Sequence, residues 1–219
     1  MNATALSILF ALFLIVPAAS ALAFEESNES PAVLQEAETQ VQAKLDAFGK
    51  TDGIERLAEA RKLAFSLNPR QRTGSLSSLD EGSLRLQIKV LLAIQKARDP
   101  HYDPAAPENI VYLNVAPPVT PTNEGVMAGM APSAIKDPVA RKAYEEAIAA
   151  NHRRNEKSHR ELDLSRGVDY CVISIWRFTR GLAEDSAARR NAFEIIEKSV
   201  PHEALRKRLL SDESPGLTR

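Results

Sequence analysis

Residues 166–182 read RGVDYCVISIWRFTRGL, and their apolar side chains recur at Val168, Cys171, Val172, Ile175 and Phe178/Thr179. A spacing of three to four marks one face of a helix. Ile173 and Trp176 widen that stripe until little of the circumference is polar. A helix of this kind needs cover on most sides, so the remaining segments are expected to pack around it. The stretch specifies a core and carries no chemistry of its own.

The segments before it supply helices to do the covering. Ser30 and Pro31 suit a cap and a first turn, and Val33, Ala37, Val41, Leu45 and Phe48 mark one face up to Gly49. Asp52 is expected to cap a second helix carrying Ile54, Leu57, Leu63, Ala64 and Leu67, which Asn68-Pro69 stops. A third begins near Ser77 or Ser78, with Glu81 closing a capping box if Ser78 caps, and carries Leu84, Ile88, Leu91 and Leu92. Downstream, Asp137-Pro138 restarts helix, Asp185 or Ser186 caps a segment with Ala192, Ile195 and Ile196, and Pro201 precedes a short helix with Leu205 and Leu209. Residues 211–219 read as a disordered tail.

Between the two helical parts, residues 99–137 contain Pro100, Pro104, Pro107, Pro117, Pro118, Pro121 and Pro132. No α-helix runs through such a stretch. Residues 110–115, IVYLNV, are its only strand-like piece and too apolar for a solvated linker. The pattern predicts a mainly α protein: an antiparallel helical bundle with a long proline-rich extended central segment lying on the helices. Residues 24–98 and 138–210 are read as two parts of one composite domain.

The amino end bears on compartment. Residues 6–16, LSILFALFLIV, are continuously apolar, and Ala19, Ala21 and Ala23 provide small residues for cleavage after Ala21 or Ala23. A spanning helix needs about 20 apolar residues, so residues 1–23 are read as a secretory signal peptide and the mature chain as secreted or periplasmic. Membrane attachment follows only if this segment is retained. The single cysteine, Cys171, forms no internal disulfide and is expected to be a buried small hydrophobe.

Composition excludes other classes. Lys plus Arg number 28 against 29 for Asp plus Glu, a formal charge of −1, so no nucleic-acid partner is expected. There is no phosphate-binding glycine loop, no Gly-x-Ser-x-Gly, no His-Glu-x-x-His and no Cys-x-x-Cys. Short matches elsewhere fail on context. Ser133-x-x-Lys136 is followed at once by Asp137-Pro138, which prevents the helical turn that sets Lys beside a nucleophilic Ser. Asp99-x-x-x-Asp103 lacks the glycine of a calcium loop and reads as turn-forming Asp-Pro pairs. Met127 and Met130 are too few for a copper site and read as loop packing.

Residues 151–163, NHRRNEKSHRELD, lose the apolar face and keep only Leu162. A helix polar all round projects into solvent or meets a polar partner. Two chemistries fit. Arg153, Arg154 and Arg160 offer a cationic contact face for a protein partner, which residues 99–137 are equally placed to meet. Alternatively His152, Glu156 and His159 supply metal-ligand types on one face, although the two histidines stand about 10 Å apart along a helix. The expected function is a non-catalytic binding or structural protein of the cell envelope or extracellular space, without a cofactor. The alternative is an extracytoplasmic metal-dependent enzyme or metal carrier centred on Glu156 and His159.

Overall fold

A computed structural model of the chain describes residues 31–67, 74–110 and 132–215. The described residues are mainly helical, with six α-helices and no strand: α1 Pro31–Lys50, α2 Ile54–Ser66, α3 Ser78–Ala97, α4 Pro138–Gly181, α5 Ala187–Ser199 and α6 Glu203–Leu210. Single 3-10 turns occur at Pro107–Asn109 and Pro132–Ala134. The signal-peptide reading of residues 1–23, the Asn68-Pro69 stop, Met127 and Met130 all lie outside the described residues, as does all of residues 110–115 except Ile110.

Local chemistry sets the helix starts, with one departure from expectation, at α2. Asp52 does not cap α2; Gly53 occupies that position without a side-chain cap. The Asp52 carboxylate instead pairs with Arg160 at 2.6 Å. At α3 the cap is Ser77, and the box closes through Asp80 rather than Glu81. The Asp80 N–H donates to Ser77 Oγ at 3.2 Å, and the Ser77 N–H donates to Asp80 Oδ2 at 3.0 Å. This satisfies two amide donors that a helix start leaves orphaned. Glu81 reaches across to α5 instead, where Asn191 Nδ2 donates to its Oε1 at 2.6 Å. Asp137 and Ser186 cap α4 and α5, accepting from backbone N–H groups of the first turn.

One cluster of buried apolar side chains draws on all six helices. Val41, Ala60, Ala64, Leu84, Val90, Leu91, Ile175, Ala192, Ile196 and Leu209 are among its most enclosed members. Each large aliphatic side chain fully removed from water contributes about 1.5–3 kcal/mol. Two glycines allow close helix approach. A Cβ at Gly82 would collide with the Leu34 side chain of α1, and one at Gly167 would lie 3.3 Å from Ile94 Cγ2 of α3.

The stripe at 168–179 is buried as its spacing predicts, at Val168, Cys171, Val172, Ile175 and Thr179. Cover is incomplete on one side: Tyr170 is 51% exposed, and its ring meets Phe65 edge-on with the Arg61 guanidinium 4.5 Å from its centroid. The end of α6 is fastened onto this part of α4. The Ser211 carbonyl accepts from Trp176 Nε1 at 2.8 Å and from Arg180 Nη2 at 2.6 Å. Arg208 Nη2 meets the buried Asp169 carboxylate at 2.6 Å. The segment read as a tail therefore starts with an anchored residue; residues 216–219 lie outside the described ones.

Candidate functional site

The helix that ends in the core starts far from it. Asp137 and Pro138 open α4, and the 44 residues to Gly181 form one continuous helix. At 1.5 Å per residue it is about 66 Å long. The segment beginning at 138, the polar stretch 151–163 and the apolar stretch 166–182 are thus a single element. Alanines at 140, 143, 147, 149 and 150 favour helix without any packing. Between Pro138 and Lys157 only Tyr144 is buried. Near this start, Arg141 Nε and Nη2 donate to the Ile135 carbonyl at 2.9 and 2.6 Å.

Within 151–163 the two sides of the helix differ. The inner side continues the buried stripe in polar residues, at Ser158 and Glu161. Ser158 Oγ donates to the Asn109 carbonyl at 2.8 Å. Glu161 receives the Asp99 N–H on both carboxylate oxygens, at 3.3 and 3.2 Å. Lys157 lies 3.5 Å from the Asp99 carboxylate and 5.9 Å from the Tyr102 ring centroid. These residues hold the turn that leaves α3, whose backbone groups need partners once water is excluded. Leu162, the lone apolar residue of the stretch, is 41% exposed, whereas Ser158 and Glu161 are buried.

Asp99 and Asp103 act as turn makers. The His101 N–H donates to Asp99 Oδ1 at 2.8 Å and the Ala105 N–H to Asp103 Oδ1 at 2.9 Å. The His101 amide holds the Asp99 carboxyl below its usual range, and Lys157 adds to this against the opposing effect of burial.

The outer side carries most of the residues singled out from sequence. His152, Arg153, Arg154, Glu156 and His159 are all exposed on α4. His152, Glu156 and His159 share a face, but among the described residues no group of three or more His, Cys, Asp or Glu is placed to hold a metal ion. The arginines separate. Arg153 and Arg154 carry no ion pair among the described residues, while Arg160 is committed to Asp52 and braces α4 against the α1–α2 connection.

Cys171 is buried and free, and burial pushes its thiol up to about 12. A thiol held neutral in this way is a packing residue, not a nucleophile. A small cleft of about 30 Å³, lined by Ile54, Leu57, Arg61, Ile94, Asp163 and Gly167, has room for roughly one water. Among the described residues no helix is long and apolar enough to cross a membrane.

Sequence reasoning missed Ser158 and Glu161. The signal was present: 158, 161, 164, 168, 171, 175 and 179 form one unbroken series of three- and four-residue steps. Two polar members hid its first turns. No family model, curated protein or solved structure matches the chain.

Proposed function

We propose that the chain is an exported, non-catalytic binding or structural protein of the cell envelope or extracellular space. In this reading the first half of α4 is its contact surface. The observation that carries it is the near-absence of burial from Pro138 to Lys157 within an unbroken helix. A rigid helix that projects polar side chains while its far end sits in the core is suited to presenting a surface. Burial holds Cys171 as a neutral thiol, in keeping with a non-catalytic role for the only cysteine.

The arrangement proposed with this function is an antiparallel bundle formed by residues 24–98 and 138–210 as one composite domain, clasped by the proline-rich segment. Contacts between α1 and α2, α2 and α3, and α3 and α4 support it, as does the shared core. Of the three arginines proposed for partner contact, Arg153 and Arg154 are retained; Arg160 has a structural partner. The segment 99–137 remains a second proposed contact, and attachment to a membrane is proposed only for a chain that keeps residues 1–23.

The test is capture of partners from the envelope or medium with the wild-type chain and with Arg153→Glu/Arg154→Glu. Loss of a specific partner with unchanged helicity supports the surface; undiminished capture by the variant overturns it. Amino-terminal sequencing of the exported product, starting at Leu22 or Phe24, checks the export reading. The competing metal reading is checked by elemental analysis. Stoichiometric metal that disappears in His159→Ala would replace the binding role with a metal site at Glu156 and His159.

A further inference from the structure

The exposed face of α4 has an internal charge symmetry centred on Ala149. Glu145 and Glu146 lie four and three residues before it, and His152 and Arg153 lie three and four residues after it. Lys142 and Glu156 lie seven residues before and after. On a helix advancing 100° per residue all seven positions fall within about 60° of Ala149. The six polar residues are exposed and Ala149 is half-buried. Inverting the helix end for end about Ala149 places the acidic pair on the His152/Arg153 pair and Lys142 on Glu156.

The geometry points to self-association: a second copy of this chain docks on the first half of α4, the two helices running antiparallel across a two-fold axis at Ala149. An isologous contact requires that residue i of one copy meet j of the other and j meet i. The stripe satisfies this with opposite charges at Glu146/Arg153 and Lys142/Glu156, and with an imidazole donor facing a carboxylate at Glu145/His152. Each pairing occurs twice. Ala149 on the axis lets the helix axes approach to the roughly 8 Å that small side chains permit. A parallel pair in the same register sets Glu145, Glu146 and Arg153 each against its own copy, so charge selects the antiparallel orientation.

Among the described residues little within one chain competes for these groups. Lys142 Nζ lies 3.9 Å from Glu146, both side chains being at least 70% exposed. Screening makes such a pair weak. The association is correspondingly a weak, salt-sensitive one, since its attraction is electrostatic and its centre is a single alanine.

This inference rests on the first half of α4 being a contact surface, and the experiment separates the two. Sedimentation of the purified chain at low ionic strength should show a monomer–dimer equilibrium that shifts to monomer as salt is added. Glu145→Lys/Glu146→Lys and His152→Glu/Arg153→Glu should each weaken dimerisation by about tenfold or more. Mixing these two variants should restore a heterodimer, and combining all four substitutions in one chain should restore self-association. All four positions are exposed, so circular dichroism should be unchanged. Ala149→Cys should oxidise to a linked dimer while Arg166→Cys, farther along the same helix, should not.

A chain that stays monomeric at low salt, or variants that do not rescue one another, overturns self-pairing. If the charge-reversed variants then still lose a captured partner, the surface serves a different protein and the proposed function stands. If capture is also unaffected, both readings fall.

Discussion

The two halves of α4 belong to one helix and are buried to very different degrees. From Val168 to Thr179 the helix is held by the core, with Cys171, Val172, Ile175 and Thr179 fully enclosed. From Pro138 to Lys157 only Tyr144 is buried, and Val139 is 75% exposed. The first half has its Asp137 cap, Pro138 and alanines as local support and only a narrow, partly covered line through Tyr144, whereas the second is enclosed by neighbours. Local propensity is sufficient to prolong a helix whose nucleus is formed elsewhere, because each added residue bypasses the cost of nucleation. Length and burial are thus separable: a core helix runs on past the core when its continuation is rich in good helix formers and is covered along one narrow side.

The largest effect expected from that contrast is in the core. Ile175→Ala should lower unfolding free energy by about 2–5 kcal/mol in urea titrations, whereas Ile148→Ala, at a half-buried site in the first half, should cost about 1 kcal/mol or less. Equal losses would show that the first half is packed as tightly as the second. Next comes the polar clamp at the core end. Asp169→Ala leaves Arg208 without its 2.6 Å partner and should cost about 1–3 kcal/mol, read by the same titration. Smaller still, Ala149→Gly should cost about 1 kcal/mol of local helix stability. Hydrogen exchange in that variant should rise from 138 to 157 and stay unchanged from 168 to 179; a rise in both would mean that the halves open together.

Two titrations sharpen the contrast further. The Cys171 thiol is raised to about 12, so the native protein keeps it protonated while the unfolded chain ionises at the ordinary thiol value. Stability should thus be full below the ordinary value and fall as pH rises above it. Alkylation should track unfolding; rapid modification of the native protein would show that the core half breathes. Asp99 has the opposite sign. Its carboxyl is lowered by the His101 amide and Lys157, so its contribution is present above the ordinary carboxylate range and lost as pH falls through the depressed value. NMR titration of Asp99 should give a midpoint below that of a free aspartate, and Lys157→Ala should bring it closer.

What was legible in the sequence were features with a local cause. The stripe at 168–179, the caps at Asp137 and Ser186, and the buried Leu205 and Leu209 follow from spacing and from side chains that bond their own backbone. Asp52 misled because a carboxylate before a helix reads as a cap, and only tertiary placement brings Arg160 to it. The same holds for Ser158 and Glu161, whose partners lie 49 and 62 residues away. Polar side chains that satisfy distant backbone are invisible to hydropathy. Of the outer face, His152, Arg153, Arg154, Glu156 and His159 were legible as exposed, since nothing apolar accompanies them. The continuity of α4 was not, because change of composition along a helix looks like a boundary.

Trp176 is the only tryptophan in the chain, and its indole donates to the Ser211 carbonyl just past the end of α6. Its fluorescence therefore reports on one joint alone. Release of α6 from α4 would leave the indole seeking water and shift its emission to the red, while events at the alanine-rich end, about 40 Å away along the axis, would leave the spectrum unmoved. The molecule carries an optical gauge for its carboxyl-terminal latch that needs no label.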